Sequence, residues 1–163
     1  MSASGLAIRP ATPRDCDLVF AFIRELAEYE KLLDRVDATP DDIARALFAP
    51  QPRVFCDIAE FERVPAGFAL WFYNYSTFRG RHGIYLEDLF VRPALRGKGI
   101  GKALLAQLAR RAVTEDCSRL EWSVLDWNAP SIAFYESLGA KAMEGWTVFR
   151  LSDDALATLA DRA

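Results

Sequence analysis

Residues 91–105 read VRPALRGKGIGKALL, where three glycines alternate with other residues directly before an alanine- and leucine-rich segment. Glycine at this density gives up side-chain packing and adds entropy to the unfolded chain, so a close approach to the backbone is the usual reason for it. The loop leads into a predicted helix, whose free N–H groups and positive dipole end favour phosphate or pyrophosphate. Arg96, Lys98 and Lys102 add positive charge. A glycine-rich turn that caps an ordinary surface helix is the alternative.

Two common phosphate-binding motifs do not fit this loop. The P-loop, G-x-x-x-x-G-K-[ST], would need a glycine where the chain has Arg96 and a hydroxyl residue where it has Ala103. The dinucleotide motif G-x-G-x-x-G would end on a lysine or a leucine here, whichever glycine it starts from. The pattern that remains is R-x-x-G-x-G followed at once by a helix.

Composition and charge restrict the class of protein. With 163 residues and 18.3 kDa, the chain is expected to form a single domain over residues 1–163. Its hydrophobic content of 52% excludes a disordered protein. A net charge of −3 leaves no global basic field, so no nucleic-acid partner is expected.

Cysteine spacing and hydropathy bear on two questions, whether the protein binds a metal ion and in which cellular compartment it lies. Cys16, Cys56 and Cys117 are far apart and His82 is the only histidine, so we expect no metal site. Scattered thiols are typical of a reducing compartment. No secretory signal and no run of transmembrane length is apparent. A cytoplasmic protein without a membrane partner is therefore expected.

Hydrophobic periodicity and turn residues predict the order β, α, α, three β, α, β, α, β and a C-terminal helix. The predicted strands cover residues 6–9, 54–60, 67–75, 84–93, 119–128 and 145–152. The predicted helices cover residues 14–33, 39–49, 99–115, 129–139 and 154–161, and residues 76–83 are expected to form a loop. Connections of this mixed kind predict an α+β or mixed α/β fold and not a doubly wound sheet.

The strand before the glycine loop contains two adjacent carboxylates, Glu87 and Asp88, in the segment YLEDLFV. Charged residues within an apolar strand are costly unless they are exposed, paired or functional. Because neighbours on a strand point to opposite faces, we expect the two to have different roles. One would face a cavity and the other solvent or a basic partner. An edge strand with one solvated face is the alternative.

A second strand-to-helix junction lies in LDWNAPSIAFYESLGA, residues 125–140. Asn128 is a good N-cap because its side chain can accept from the N–H of Ser131, and Pro130 sits early in the helix. Gly139 is expected to end the helix. Tyr135 has two interpretations at this point, a functional phenol or a buried aromatic residue that needs a hydrogen-bond partner.

The two junctions together resemble the GNAT superfamily of acyl-CoA-dependent N-acetyltransferases. The resemblance rests on Arg96, Gly99 and Gly101 of the first motif, on NAPSIAFYESLGA as the second, and on the order of elements. The segments IRPATPRDCDLVFAFIRELAEYEK, YLEDLFV, RGKGIG and WNAPSIAFYESLGA resemble more specifically the diamine acetyltransferases, a branch that also includes thialysine acetyltransferases. The implied fold is a central, mostly antiparallel twisted sheet flanked by helices, with a splay between two central strands.

This resemblance implies that acetyl-CoA is the co-substrate. The glycine loop would bind its pyrophosphate, the end of the preceding strand would pair with its pantetheine arm, and the start of the second helix would border that arm. The implied cofactor-binding residues are Leu89, Phe90, Val91, Arg96, Gly97, Lys98, Gly99, Ile100, Gly101, Lys102, Asn128, Ala129, Pro130 and Ser131.

The resemblance also implies a direct transfer in a ternary complex. An alkyl ammonium has a pKa of about 10.4 and must lose a proton before it attacks a thioester. Tyr135 matches the tyrosine that protonates the CoA sulfur, and Glu87 matches a carboxylate that contacts the amine and takes its proton. Backbone N–H groups around Leu89 would stabilise the oxyanion. No covalent acyl-enzyme is required.

The acceptor is expected to be a small cationic amine, with a polyamine or diamine first and a thialysine-like amino acid second. The matching acceptor positions are Tyr29, Glu30, Glu87, Glu121, Trp122, Ser123 and Glu144. The segment GAKAMEGW is shorter than in polyamine enzymes, which bears on Glu144 and on long acceptors. Acetylation of a protein and a non-catalytic CoA-binding module are the alternatives. A homodimer is expected by resemblance.

Overall fold

The computed structural model describes residues 5–162. Within that range the strands are β1 (Leu6–Pro10), β2 (Phe55–Phe61), β3 (Val64–Ser76), β4 (Arg81–Val91) and β5 (Leu120–Trp122). The α-helices are α1 (Cys16–Tyr29), α2 (Pro40–Leu47), α3 (Ile100–Thr114), α4 (Ala129–Ser137) and α5 (Asp153–Ala160). The chain divides into two compact units, Met1–Leu125 and Asp126–Ala163. The single domain over residues 1–163 stays a prediction.

The first unit is built on one five-stranded sheet with the order β1-β2-β3-β4-β5. The first three pairings are antiparallel, whereas β4 and β5 are parallel. A parallel pair needs a crossover, and α3 provides it between β4 and β5. The predicted mixed, mostly antiparallel α+β fold is therefore confirmed.

Helices α1 and α2 pack against the sheet through one apolar cluster. Its most buried members include Val19 and Phe22 of α1, Ile58 of β2 and Phe68 of β3. The rings of Phe22 and Phe68 stack with their centroids 5.3 Å apart. Burial of side chains of this size contributes roughly 1.5–3 kcal/mol each. This cluster fixes the C-terminal end of α1 relative to β4, which is where the candidate site lies.

Arg92, directly after β4, ties the end of that strand to α1. Its Nε and Nη2 donate to the two carboxylate oxygens of Glu25 at 3.0 and 2.8 Å, and its Nη1 donates to the carbonyl of Pro65 at 3.1 Å. The guanidinium carbon lies 4.7 Å from the centre of the Phe22 ring. This geometry holds α1 against the strand that precedes the glycine loop.

Three predictions about strands differ from the structure. The strand expected at residues 119–128 is only Leu120–Trp122, since its ladder with β4 has three pairs. The strand expected at residues 145–152 is wrong. Among the described residues no strand pairs with that segment, and a strand's N–H and C=O groups require partners. Trp146 and Phe149 there are 78% and 92% exposed. Finally, His82 lies within β4 and not in a loop, because β4 begins at Arg81.

We predict that Arg92→Met lowers the free energy of unfolding by about 2 kcal/mol, since it removes three hydrogen bonds and leaves the Glu25 carboxylate without its partner. Urea denaturation measures the change. The matched control is Arg110→Met, an exposed arginine on α3 with no such contacts, for which a change within about 0.5 kcal/mol is expected. Equal effects of both substitutions would contradict this role of Arg92.

Candidate active site

The sheet opens in the middle of β4. Pairing between β4 and β5 ends at Leu86 and Trp122, whereas pairing between β4 and β3 continues to Val91. In the part of the chain that the structure describes, residues 87–91 therefore have a strand on one side only. On the other side the Val91 carbonyl accepts from the Nε of Arg96, and the remaining N–H and C=O groups of this segment can bind an extended ligand. The predicted splay corresponds to this opening between β4 and β5, and β5 is the edge strand of the sheet among the described residues.

A β-bulge coincides with this opening. Leu86 pairs with Trp71 and Asp88 pairs with Leu70, so Glu87 is the extra residue on β4. A bulge interrupts the strict alternation of side chains along a strand. Regular alternation therefore does not decide here which faces Glu87 and Asp88 occupy, and the expectation that they have different roles stays a prediction. Glu87 is exposed and Asp88 is partly buried.

Three carboxylates meet at this bulge. Burial, and then the negative charges of Glu87 and Glu30, raise the pKa of Asp88 to about 7. Burial also raises the pKa of Glu30, the residue that follows α1. The C-terminal end of a helix carries partial negative charge, which adds to the same field. The cluster of Glu30, Glu87 and Asp88 is therefore suited to bind a cation and to exchange a proton near neutral pH.

Asp88 is the residue of this cluster to which the sequence prediction assigned no function. The available signal was its position as a charged residue in an apolar strand. That signal did not show that Glu30, far away in the sequence, would lie near it. Glu30 itself was predicted as an acceptor residue, and the structure brings its charge close enough to act on Asp88.

The glycine loop has the conformation that its sequence suggests. Gly97 and Gly99 have φ of +78° and +77°, which L side chains rarely adopt, and a Cβ atom at either position would meet no atom within 4 Å. The two glycines are thus needed for backbone conformation and not for packing against the protein. Gly99 is the N-cap of α3 and provides no capping side chain. The first N–H groups of a 15-residue helix therefore remain available to an anion.

Cationic side chains surround this helix start. Lys98 and Lys102 are both exposed. The ammonium of Lys98 lies 5.1 Å from the centre of the Phe61 ring at the end of β2. Ile100 is buried against the core and anchors the first turn, and Gly101 follows it. The residues present therefore fit a pyrophosphate, because backbone donors, the positive end of a helix dipole and two exposed cations lie together.

Arg96 connects the glycine loop to the end of α1. Its Nε donates to the carbonyl of Val91 at 2.9 Å. Its guanidinium carbon lies 4.8 Å from the centre of the Tyr29 ring and 5.7 Å from that of Phe90. Arg96 was predicted on the cofactor side and Tyr29 on the acceptor side, and the structure brings the two into contact.

The predicted acceptor residues of β5 are engaged with other groups. The Glu121 carboxylate forms an ion pair with Arg119 at 2.7 Å and accepts from the amide of Asn74 at 3.0 Å. The hydroxyls of Ser123 and Tyr85 lie 2.7 Å apart. Trp122 pairs with Leu86 at the last position of the ladder. Because Arg119 offsets its charge, Glu121 is a weaker cation ligand than the carboxylates at the bulge.

The remaining predicted residues lie in the second unit. Asn128 is buried, caps α4 and accepts from the N–H of Ser131 at 3.3 Å, as the sequence predicted. Ala129 and Pro130 form the first turn of α4, which also carries Tyr135. Glu144 is exposed, outside any helix or strand.

Within residues 5–162, no group of three His, Cys, Asp or Glu side chains could hold a metal ion. None of the helices described here combines the length and the apolar character needed to span a bilayer.

Comparison with known proteins identifies the family. The acetyltransferase (GNAT) family profile matches residues 20–140. A thialysine N-epsilon-acetyltransferase from Bos taurus is 39% identical, over 95% of this chain and 97% of that protein. A human spermidine/spermine N(1)-acetyltransferase-like protein 1 is 35% identical, over 94% of this chain and 23% of that longer protein.

A solved structure agrees with these relatives. An integron cassette protein from the mobile metagenome of V. cholerae has a TM-score of 0.79 and 32% identity, covering 96% of this chain and 98% of its own. The resemblance to the diamine and thialysine acetyltransferases that the sequence predicted is thus confirmed. With a matching profile, relatives and fold, this chain belongs to the GNAT family of acetyltransferases and is an N-acetyltransferase.

Proposed function

We propose that this enzyme transfers the acetyl group of acetyl-CoA to the primary amine of a small aliphatic cation, by direct transfer in a ternary complex. The observation that carries the proposal is the carboxylate cluster of Glu30, Glu87 and Asp88 at the point where β5 leaves β4. A cationic acceptor and an extended co-substrate would be directed to the same short segment of strand. The negative charge of the three carboxylates would then lie where the acceptor amine must lose its proton.

Acetyl-CoA would bind with its pyrophosphate at the start of α3. Gly97 and Gly99 shape the loop, and the free N–H groups from Ile100 onward point to one place. The pantetheine arm would pair with the open side of residues 89–91. From the resemblance, we assign the residues 128–131 to the same arm. When bound, acetyl-CoA supplies the activated thioester.

Asp88 and Glu87 would together accept the proton that the acceptor amine loses. An alkyl ammonium with a pKa of about 10.4 is protonated at neutral pH, and a general base works best when its pKa lies near the working pH. Asp88 meets that condition, since its pKa is raised to about 7. Exposed Glu87 would contact the ammonium and pass its proton on through water. Glu30 would hold the charge of the acceptor.

The acetyl transfer also needs a proton donor for the sulfur of the departing coenzyme A. The neutral amine bonds to the acetyl carbon and loses its second proton to water, the C–S bond breaks, and the sulfur takes a proton from Tyr135, whose phenolate is then reprotonated from solvent. Backbone N–H groups near Leu89 would donate to the acetyl oxygen as it gains negative charge. The assignment of Tyr135 rests on the resemblance of its motif.

Two kinds of acceptor fit this cluster. A polyamine or diamine is favoured by the sequence resemblance and by the number of carboxylates. An amino acid of the thialysine type is favoured by the 39% identity to a thialysine acetyltransferase. The ion pair between Glu121 and Arg119 favours the shorter acceptor, because it leaves fewer free charges for a long polycation.

The assembly and location remain proposals. We propose a cytoplasmic homodimer that needs neither a metal nor a nucleic-acid or membrane partner. Exposed Tyr75 and Phe78 near the β3–β4 turn are compatible with an interface.

The first prediction concerns the acceptor. Thiol release from acetyl-CoA is measured with putrescine, spermidine, spermine, lysine, thialysine and a short peptide. We expect turnover with small amines and little with the peptide, and Tyr135→Phe should lower kcat by about 10²-fold or more. Turnover with the peptide alone would contradict a small cationic acceptor. Turnover with none of the panel despite acetyl-CoA binding would contradict the proposed class.

The second prediction concerns pH. The carboxylate form of Asp88 predominates above its pKa of about 7, so kcat/KM should fall as the pH drops below that value. Asp88→Asn should remove this acid limb and lower kcat/KM by about 10²-fold. Glu87→Gln is the matched control. It removes a charge that raises the pKa of Asp88, so the limb should persist but move to lower pH. Loss of the limb in Glu87→Gln alone would instead make Glu87 the base.

The third prediction concerns the glycine loop. Gly99→Ala forces a side chain into φ near +77°, which costs about 1–2 kcal/mol, and we expect about tenfold weaker CoA binding by calorimetry. Gly80→Ala is the control, since Gly80 has φ of +63° and open space around it but lies in the β3–β4 turn. Equal CoA affinity of both variants would contradict a role of the loop in pyrophosphate binding.

A further inference from the structure

A second concave site lies in the first unit, away from the open segment of β4. It is a cavity of about 160 Å³ toward the end of the sheet where β1 ends and β2 begins. Its walls include Phe48, Phe55, Asp57, Trp71, Tyr73 and Arg111. None of these residues belongs to the acetyl-transfer machinery described above, so the cavity requires its own explanation.

Asp57 is the polar group at the base of this cavity. Along β2, Cys56 and Ile58 belong to the cluster under α1 and α2, so the alternation of side chains directs Asp57 to the other face. Its side chain is 4% exposed, and its Oδ2 accepts from the indole N–H of Trp71 at 3.0 Å. Burial raises its pKa. Within residues 5–162 no side-chain hydrogen bond other than that from Trp71 is made to this carboxylate, so its second oxygen is available as an acceptor.

Arg111 of α3 is the second polar group, and it too is incompletely bonded. Its Nη1 donates to Glu115 at 3.2 Å, while its Nε is buried with no acceptor. Its guanidinium carbon lies 5.0 Å from the centre of the Trp71 ring. Across the described residues, no ion pair within 4.0 Å joins Arg111 to Asp57. Arg111 thus forms its ion pair with Glu115 and not with Asp57, while its charge still acts on Asp57 and lowers the pKa of that carboxyl against the larger effect of burial.

The aromatic walls are held in place before any ligand arrives. The rings of Phe55 and Trp71 stack with centroids 4.7 Å apart, and Tyr73 packs edge-on against both. The Tyr73 hydroxyl donates to Glu115 at 2.5 Å. Burial, and then Glu115, raise the pKa of Tyr73 to about 12, so the phenol stays neutral. Glu115 therefore orients both Tyr73 and Arg111, and the cavity is preformed.

We propose that this cavity binds a planar, uncharged molecule of about one ring that carries an N–H donor beside a carbonyl acceptor, such as an aromatic primary carboxamide. The N–H would donate to Asp57, the carbonyl would accept from Arg111, and the ring would lie against the aromatic walls. An aromatic amine such as benzylamine lacks the carbonyl that would accept from Arg111, and a carboxylate such as benzoate lacks the N–H that would donate to Asp57. The size also agrees, since a cavity of about 150 Å³ holds one benzene molecule. This inference does not depend on the proposed acetyl transfer.

The test uses benzamide as the probe with the full-length protein. The ¹⁵N-labelled indole signal of Trp71 is assigned with Trp71→Phe and followed during titration, because this N–H bonds Asp57. We expect a saturable shift with benzamide and about tenfold weaker binding of benzoate and of benzylamine. Saturating coenzyme A should not displace the probe, since the two sites are separate.

Two substitutions at exposed or partly exposed positions of α3 test the proposal without altering the buried core. Arg111→Met removes the cation from a partly exposed position and should weaken benzamide binding by about tenfold. Arg110→Met, on an exposed part of the same helix, should leave binding unchanged. The proposal is overturned if benzamide gives no saturable shift, if the three probes bind equally, if Arg111→Met binds like the original protein, or if coenzyme A displaces benzamide. Acetyl transfer is assayed separately, so failure of either proposal can be distinguished from failure of the other.

Discussion

The early end of the β4–β5 ladder is the constraint on which the site depends. After Leu86 and Trp122 the backbone of β4 continues with β3 as its only neighbouring strand in the described chain. A row of free N–H and C=O groups in a central strand is unusual, because such groups normally find partners. The bulge at Glu87 begins at the same point and alters the direction of the side chains that follow. An opening for an extended ligand and a carboxylate cluster therefore arise from one local departure from regular sheet.

Charge is arranged around that opening in two parts. The carboxylates of Glu30, Glu87 and Asp88 gather where α1 ends, while the N-terminus of α3 with Lys98 and Lys102 presents positive potential. A cationic acceptor and a phosphate-bearing co-substrate would thus be directed to different ends of one strand segment. Arg96 lies at the boundary, over Tyr29, with its Nε on the carbonyl of Val91. Arg92 holds α1 in place through its two hydrogen bonds to Glu25.

Local signals in the sequence were sufficient for several features and insufficient for others. The glycine loop, the Asn128 cap and the order of elements up to β5 were predicted, because each depends on residues near one another in the chain. The raised pKa of Asp88, on which its proposed role rests, was not predicted, because it needs burial and the charges of Glu87 and Glu30 together. The strand at residues 145–152 was predicted from composition alone, and composition does not provide the neighbouring strand that pairing requires.

The sequence by itself determined the family, the position of the glycine loop before α3, and the secondary-structure propensities, because these are properties of residue type and short-range spacing. Only the tertiary structure decided where β5 leaves β4, that Glu30 joins Glu87 and Asp88, and that Asp57 and Arg111 share a cavity without an ion pair. Each of these depends on the register between strands and on the packing of helices distant in sequence. Burial, which sets the protonation of Asp88, exists only once those elements have come together.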